Sequence, residues 1–187
     1  MLIEKDTIKA ESHFNDERTH RYLCKRTWNK DKPSLAVIAL NANFSDNIIN
    51  DTTTGLIINN VARLESYGSV HILNLYSVLT NKLNFRYNSD DDLNHKENDA
   101  QILKSAEECD KVVLCWGMAQ NTNLRIAERA RQVIKLLEPY KDKLYCLSDG
   151  NKKFYHPLTP SIRTYWEIEK ISLEELNKLT ENKNVPT

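Results

Sequence analysis

The sequence predicts an α/β fold: a three-layer α/β/α domain around a central, mainly parallel, four-stranded sheet. Segments with helical spacing alternate with short apolar runs, as in a parallel sheet with right-handed crossovers. The length of 187 residues is that of one domain, residues 1–187. The apolar runs are near-continuous, which is typical of strands buried on both faces: Leu35–Leu40, Val70–Leu75, Lys111–Trp116 and Lys143–Leu147.

The first two helical segments each carry a terminal signal. Apolar residues at helical spacing over 56–64 lead to Gly68, and glycine commonly follows the end of a helix. The second segment, 100–106, follows Asn98 and Asp99, either of which is a suitable N-cap.

The last two helical segments are bounded in the same way. The third, 124–137, has a wide apolar stripe and ends before Pro139. The final helix begins at Ser172, which forms a capping box with Glu175.

The remaining segments are predicted to flank this core. Residues 1–30 form a polar N-terminal segment in which Arg21–Leu23 and Trp28 indicate a strand or hairpin. Residues 80–95 form a long polar loop, which by its length is functional or mobile. We expect residues 181–187 to be a frayed tail.

The charge balance limits the choice of partners. Lysine and arginine number 26, and aspartate and glutamate also number 26, so the formal net charge is zero. This argues against a nucleic-acid binder of the histone type but does not exclude a local basic groove. The candidate cations, for which a solvated mixed-charge face is the alternative, are Arg125, Arg129, Arg131, Lys135, Lys152, Lys153 and Arg163.

No apolar run approaches the about 18 residues that a transmembrane helix needs. Residues 1–10 include Glu4 and Asp6, where a signal peptide is basic and then apolar. We therefore expect a cytoplasmic protein without a membrane partner, whose oligomeric state stays open.

The cysteines and glycines argue against metals and cofactors. The cysteines form no C-x-x-C pair and suit small buried thiols: Cys24, Cys109, Cys115 and Cys146. With four glycines in the whole chain there is no P-loop, no G-x-G-x-x-G turn and no G-x-S-x-G elbow. We expect neither a metal nor a cofactor.

Polar residues cluster where the predicted strands end. Asn41 ends the first run, Asn74 lies in the second, Trp116–Gly117 ends the third, and His156 follows the fourth. Ligands of open α/β sheets bind beside the carboxyl ends of the strands, so these residues are expected at one rim. Each also has a structural interpretation: Asn41 in a tight turn, His156 as an incidental loop residue, Trp116 as a core residue.

Several short pieces of the sequence together resemble a known family. They are Arg21-Tyr22-Leu23 with Trp28, Leu40-Asn41, Asp51-Thr52, Asn74-Leu75-Tyr76, Glu97-Asn98-Asp99, Trp116-Gly117 and His156-Pro157-Leu158. The family that they resemble is a bacterial and phage family, the domain of unknown function 1643. The resemblance covers about four-fifths of the chain, in the family's order, and one difference is Ala42 in place of the usual proline.

More remotely, these pieces are similar to motifs of the uracil-DNA glycosylase superfamily. This resemblance implies the fold of that superfamily and the hydrolysis of an N-glycosidic bond. A base flipped out of DNA would enter the rim pocket. The resemblance and the chemistry together suggest catalytic roles for Asn41, His156, Asp46 and Asp51. They suggest base binding by Asn74, Phe44, Tyr76 and Trp116, and phosphate binding by Ser161 and Arg163.

Two other functions stay open at this point. The pocket could bind or hydrolyse a free nucleoside or nucleotide, or recognise a modified base without catalysis, for example in phage–host conflict. A pure interaction module would bind no ligand at the rim formed by Asn41, Asn74 and His156.

Overall fold

A computed structural model of the protein describes residues 1–151 and 154–180. The expected frayed tail, 181–187, and the candidate cations Lys152 and Lys153 lie outside the described residues. Among the described residues, no helix is long and apolar enough to cross a membrane.

The strands form one sheet of seven, in the spatial order β1-β2-β4-β3-β5-β6-β7. The central strands β4, β3, β5 and β6 are parallel to one another, and β1, β2 and β7 are added antiparallel at the two edges. Their bounds are β1 Lys9–Phe14, β2 Arg21–Thr27, β3 Ser34–Asn41, β4 Ser69–Tyr76, β5 Lys111–Leu114, β6 Leu144–Ser148 and β7 Glu167–Lys170.

The prediction of a mainly parallel four-stranded sheet, of the uracil-DNA glycosylase type, is therefore wrong. The sheet is mixed and has seven strands. The search for apolar runs did not find the added strands, because polar and apolar residues alternate in them or because they are charged. Examples are KAESHF in β1 and EIEK in β7. Strands of this composition are typical of sheet edges, where one side faces water.

Helices cover both faces of the sheet. Their bounds are α1 Thr52–Arg63, α2 Asp90–Leu93, α3 Glu97–Glu108, α4 Leu124–Leu136 and α5 Leu173–Thr180, with 3₁₀ turns at Ala119–Asn121 and Glu138–Lys143. On one face, α1 packs through Ile57 and Val61. On the other face, α3, α4 and α5 contribute Ile102, Ala130 and Leu176 to a second core.

The helix boundaries follow local chemistry. Ser172 and Glu175 exchange the predicted hydrogen bonds at the start of α5, which confirms that capping box. The predicted cap of α3 is wrong, since Lys96 is its N-cap and Asn98 lies inside the helix. Asn98 is fully buried and donates to the main-chain oxygen of Asn74 at 3.0 Å, so it joins the helix to β4 instead.

The four cysteines are free and buried, as predicted. The loop predicted over 80–95 contains the short helix α2, whose capping box joins Ser89 and Asp92. Arg125 of α4 fixes this loop by donating to the main-chain oxygens of Phe85 and Asn88 at 2.8 and 2.9 Å.

Candidate functional site

A pocket of about 160 Å³ lies at the carboxyl ends of β3 and β4. We call it the edge pocket. Its volume corresponds to about five water molecules, which suits one small ring. Its lining contains one cation, one carboxylate, several amides and one imidazole, including Arg21, Asn41, Asp51, Asn74, Asn81 and His156.

The two strand-end asparagines present acceptors. Asn41 uses its side-chain nitrogen to donate to the main-chain oxygens of Thr80 at 2.8 Å and Ala42 at 3.1 Å. Asn74 is buried, and the orientation that satisfies its amide directs the nitrogen to the main-chain oxygen of Asn41 at 2.9 Å. Because both nitrogens are engaged, the two side-chain oxygens are the groups left to accept N–H donors of a ligand.

Asp51 is a fixed carboxylate at the first turn of α1. Its Oδ1 accepts from the main-chain nitrogens of Thr53 at 2.9 Å and Thr54 at 3.1 Å, and its Oδ2 accepts from the Thr54 hydroxyl at 2.6 Å. Aspartate is favoured at the N-cap because the first N–H groups of a helix lack main-chain partners, and its carboxylate accepts their hydrogen bonds. The same bonds hold the carboxylate in one orientation beside the pocket.

His156 supplies a hydrogen-bond donor. The main-chain nitrogen of Leu158 donates to its Nδ1 at 3.2 Å, so in the neutral ring the proton is on Nε2. Burial lowers the pKa of His156, which favours that neutral form. Within the described part of the chain, Nε2 has no hydrogen-bond partner and is left for a ligand.

Gly117 sets the position of His156. Its φ is +77°, and a Cβ added there would lie 3.0 Å from the Cβ of His156. Only glycine combines that backbone conformation with so close an approach. The Trp116–Gly117 turn after β5 therefore acts on the site through Gly117, whose missing side chain leaves room for the histidine.

Arg21 lines the pocket, and the sequence analysis did not assign it to the site. It begins β2, its exposed fraction is 2%, and its Nη1 donates to both the main-chain oxygen, at 2.9 Å, and the hydroxyl of Ser45. The sequence did contain a signal for this residue, since β2 begins with a charged residue followed by Tyr-Leu-Cys. A charge at a position that becomes buried is costly unless it is paired, so such a residue is a candidate for a site.

A comparison with protein families places the chain. The model of a family described as a protein of unknown function (DUF1643) matches residues 21–158. The chain belongs to the DUF1643 family. No curated protein and no solved structure matches it. The matched span of this DUF1643 protein begins at Arg21 and ends at Leu158, and every residue that lines the edge pocket lies within it.

Two residues predicted for the site lie in the neighbouring loop of the DUF1643 protein. Phe44 is exposed and does not line the edge pocket. It lines a separate outer groove together with Phe14 and Arg18. Asp46 lines that groove too, and its carboxylate accepts from the main-chain nitrogens of Ile48 and Ile49, both at 2.7 Å. These bonds lower the pKa of Asp46 and organise the loop.

The other predicted residues lie farther from the pocket. Tyr76 is buried on the opposite face, where its hydroxyl donates to the main-chain oxygen of Arg125 at 3.0 Å. Trp116 is 1% exposed and packs on Phe154 with ring centroids 4.8 Å apart. Ser161 and Arg163 have exposed side chains and do not line the edge pocket. Among the described residues, the one aromatic ring that lines the edge pocket is the imidazole of His156.

Of the four predicted cations on α4, the three arginines form ion pairs, and Lys135 has none among the described residues. Arg125 pairs with Asp90, Arg129 with Asp99, and Arg131 with Glu128. All six of these residues line a separate groove of about 540 Å³ on the opposite face. Neutralised in this way, α4 offers a phosphate backbone little net attraction.

Proposed function

We propose that the edge pocket binds a uracil-like or modified nucleobase and that the DUF1643 protein hydrolyses its N-glycosidic bond. The observation that supports this most is that Asn41, Asp51, Asn74 and His156 line one base-sized pocket. Amide oxygens suit the N–H groups on the edge of a base, and the pocket volume suits a single ring.

In this hydrolysis, His156 and the carboxylate of Asp51 have different roles. The bond between the sugar carbon and the base nitrogen breaks, and its electron pair stays on the base. The Nε2–H of His156 donates to that developing anion, which is worth about 3 kcal/mol when the donor is preorganised. A water oxygen bonds to the sugar carbon, and the carboxylate of Asp51 orients this water and takes its proton.

The form of the substrate distinguishes two versions of this function. The motif resemblance to the uracil-DNA glycosylases favours a base in DNA. The paired cations of α4 favour the second candidate, a free nucleoside or nucleotide. Salt separates the two, because phosphate contacts make DNA binding fall steeply with salt concentration, whereas a small uncharged ligand is little affected.

The experiment is a cleavage assay on both kinds of substrate. The protein is incubated with end-labelled oligonucleotides that contain uracil, hypoxanthine or 5-hydroxymethyluracil, and with the corresponding free nucleosides. Alkali-labile sites report the first reaction, and the released base reports the second.

The matched variants are His156→Ala and His13→Ala. His13 lies on β1, where it contacts Glu11 and Gln101 away from the pocket. We expect cleavage that His13→Ala retains and His156→Ala loses. Full activity of His156→Ala would refute the role of that residue, and no cleavage of any substrate by the folded protein would refute the proposed function.

A further inference from the structure

Arg21 is a buried cation that forms no ion pair with any carboxylate of the described residues. It is 2% exposed, and both of its hydrogen-bond acceptors belong to the neutral Ser45. A buried guanidinium is ordinarily paired with a carboxylate, because removing its charge from water is costly. Arg21 therefore lacks the partner that would offset its burial.

One edge of the guanidinium is unoccupied. Nη1 is used for Ser45, whereas Nε is buried without a partner and Nη2 has no partner among the described residues. Nε and Nη2 lie side by side, and their N–H groups form the parallel fork that binds two acceptor oxygens or a delocalised anion. Arg21 lines the edge pocket, so its charge acts on a ligand bound there. Because Nε has almost no accessible surface, Nη2 is the nitrogen left to contact that ligand directly.

The carboxylate of the pocket does not occupy the fork. Asp51 acts on Arg21 only by its charge, without an ion pair, and its oxygens are bonded to Thr53 and Thr54. The second buried arginine of β2 behaves differently. Arg26 is 3% exposed and, like Arg21, has no ion pair among the described residues. Both of its Nη atoms are engaged, however, with the main-chain oxygens of Lys25 and Asp46 and the side-chain oxygen of Asn50, and it lies outside the edge pocket.

We propose that the buried, unpaired guanidinium of Arg21 attracts negative charge on the ligand and contacts it through Nη2, so that the edge pocket prefers anionic, oxygen-bearing ligands to neutral ones of the same shape. This rests on the proposed function, in which the base leaves as an anion whose charge is shared by its ring carbonyl oxygens. Arg21 would then select bases that leave readily as anions, such as oxopyrimidines, over bases without a carbonyl group.

The test compares two uracils of similar size by titration calorimetry, at a mildly alkaline pH where 5-nitrouracil is ionised and thymine is neutral. We expect the protein to bind 5-nitrouracil about 10- to 100-fold more tightly, which corresponds to one charge-assisted contact. Arg21→Met abolishes this preference, Arg21→Lys retains part of it, and the matched control Arg26→Met retains all of it. Circular dichroism establishes that each variant is folded.

A second readout uses inorganic phosphate as a probe that contains no base. Low-millimolar phosphate, compared with chloride at equal ionic strength to remove the general stabilising effect of the salt, raises the melting temperature of the wild-type protein and not of Arg21→Met. If the protein binds neither uracil but shows this phosphate effect, the proposed function fails and the anion site stands. If it binds both uracils equally, the role of Arg21 is refuted and base binding stands. If it binds neither uracil nor phosphate, both proposals are refuted, and the wild-type result decides even where Arg21→Met does not fold.

Discussion

Replacing Gly117 by alanine separates backbone strain from the positioning of His156. A non-glycine residue at φ +77° costs about 1–2 kcal/mol. In addition, the new Cβ would lie 3.0 Å from the Cβ of His156, whereas carbon atoms in contact prefer about 3.5–4.0 Å. The histidine must therefore move by a few tenths of an ångström.

The chain offers a matched control at Gly150, whose φ is +82° and whose added Cβ would meet no heavy atom within 4 Å. Gly150→Ala carries the same backbone strain without the contact. We expect Gly117→Ala to lose about 1–2 kcal/mol more free energy of unfolding than Gly150→Ala, the usual cost of overpacking. A displaced donor lowers cleavage or base affinity by about 10- to 100-fold in Gly117→Ala alone.

The assay is urea unfolding of both variants, followed by cleavage and calorimetric titration with a free base. If the two variants lose the same stability and bind and cleave equally well, Gly117 has no special relation to His156. A loss of activity in Gly150→Ala as large as in Gly117→Ala would contradict the reasoning as well.

The remaining predictions concern stability and reactivity. Gly55 lies in α1 with no atom within 4 Å of an added Cβ, so Gly55→Ala raises the free energy of unfolding by about 0.5–1 kcal/mol in urea, and a decrease would contradict this. Burial lowers the pKa of His71 to about 4 from 6.5, so the unfolded chain binds the extra proton. Stability therefore falls by about 3 kcal/mol between pH about 6.5 and about 4. His71→Gln removes this part of the slope, and an unchanged slope would refute the assignment. Burial raises the pKa of Cys109 to about 12 and of Cys146 to about 11, so a thiol reagent at neutral pH should modify neither before unfolding.

The positions of the four central strands were predictable from the sequence, whereas the size of the sheet and its edge strands were not. Each of the four apolar runs falls on an observed strand, for instance Leu35–Leu40 within Ser34–Asn41. Strands covered by helices on both faces must be apolar throughout, which leaves a strong pattern. Edge strands such as Glu167–Lys170 are specified by main-chain pairing and leave almost none.

The pocket was partly predictable for a related reason. The carboxyl ends of parallel strands meet at one edge, and this rule alone brings Asn41 and Asn74 together. Tyr76 follows Asn74 by two residues, so regular alternation predicts the same face, yet Leu75 and Tyr76 both join the core under α3 and α4. Arg21 comes from an antiparallel strand that no parallel-sheet rule anticipates.

The first strand, β1, has a consequence for any shortened form of the protein. It pairs with β2 from Lys9 to Phe14 and so occupies the outer main-chain N–H and C=O groups of the strand that begins with Arg21. The matched family span begins at residue 21 and leaves β1 out. A chain trimmed to that span would present β2 as a bare sheet edge, and bare edges recruit other strands. Such a fragment is expected to self-associate along β2, next to Arg21 at the start of that strand.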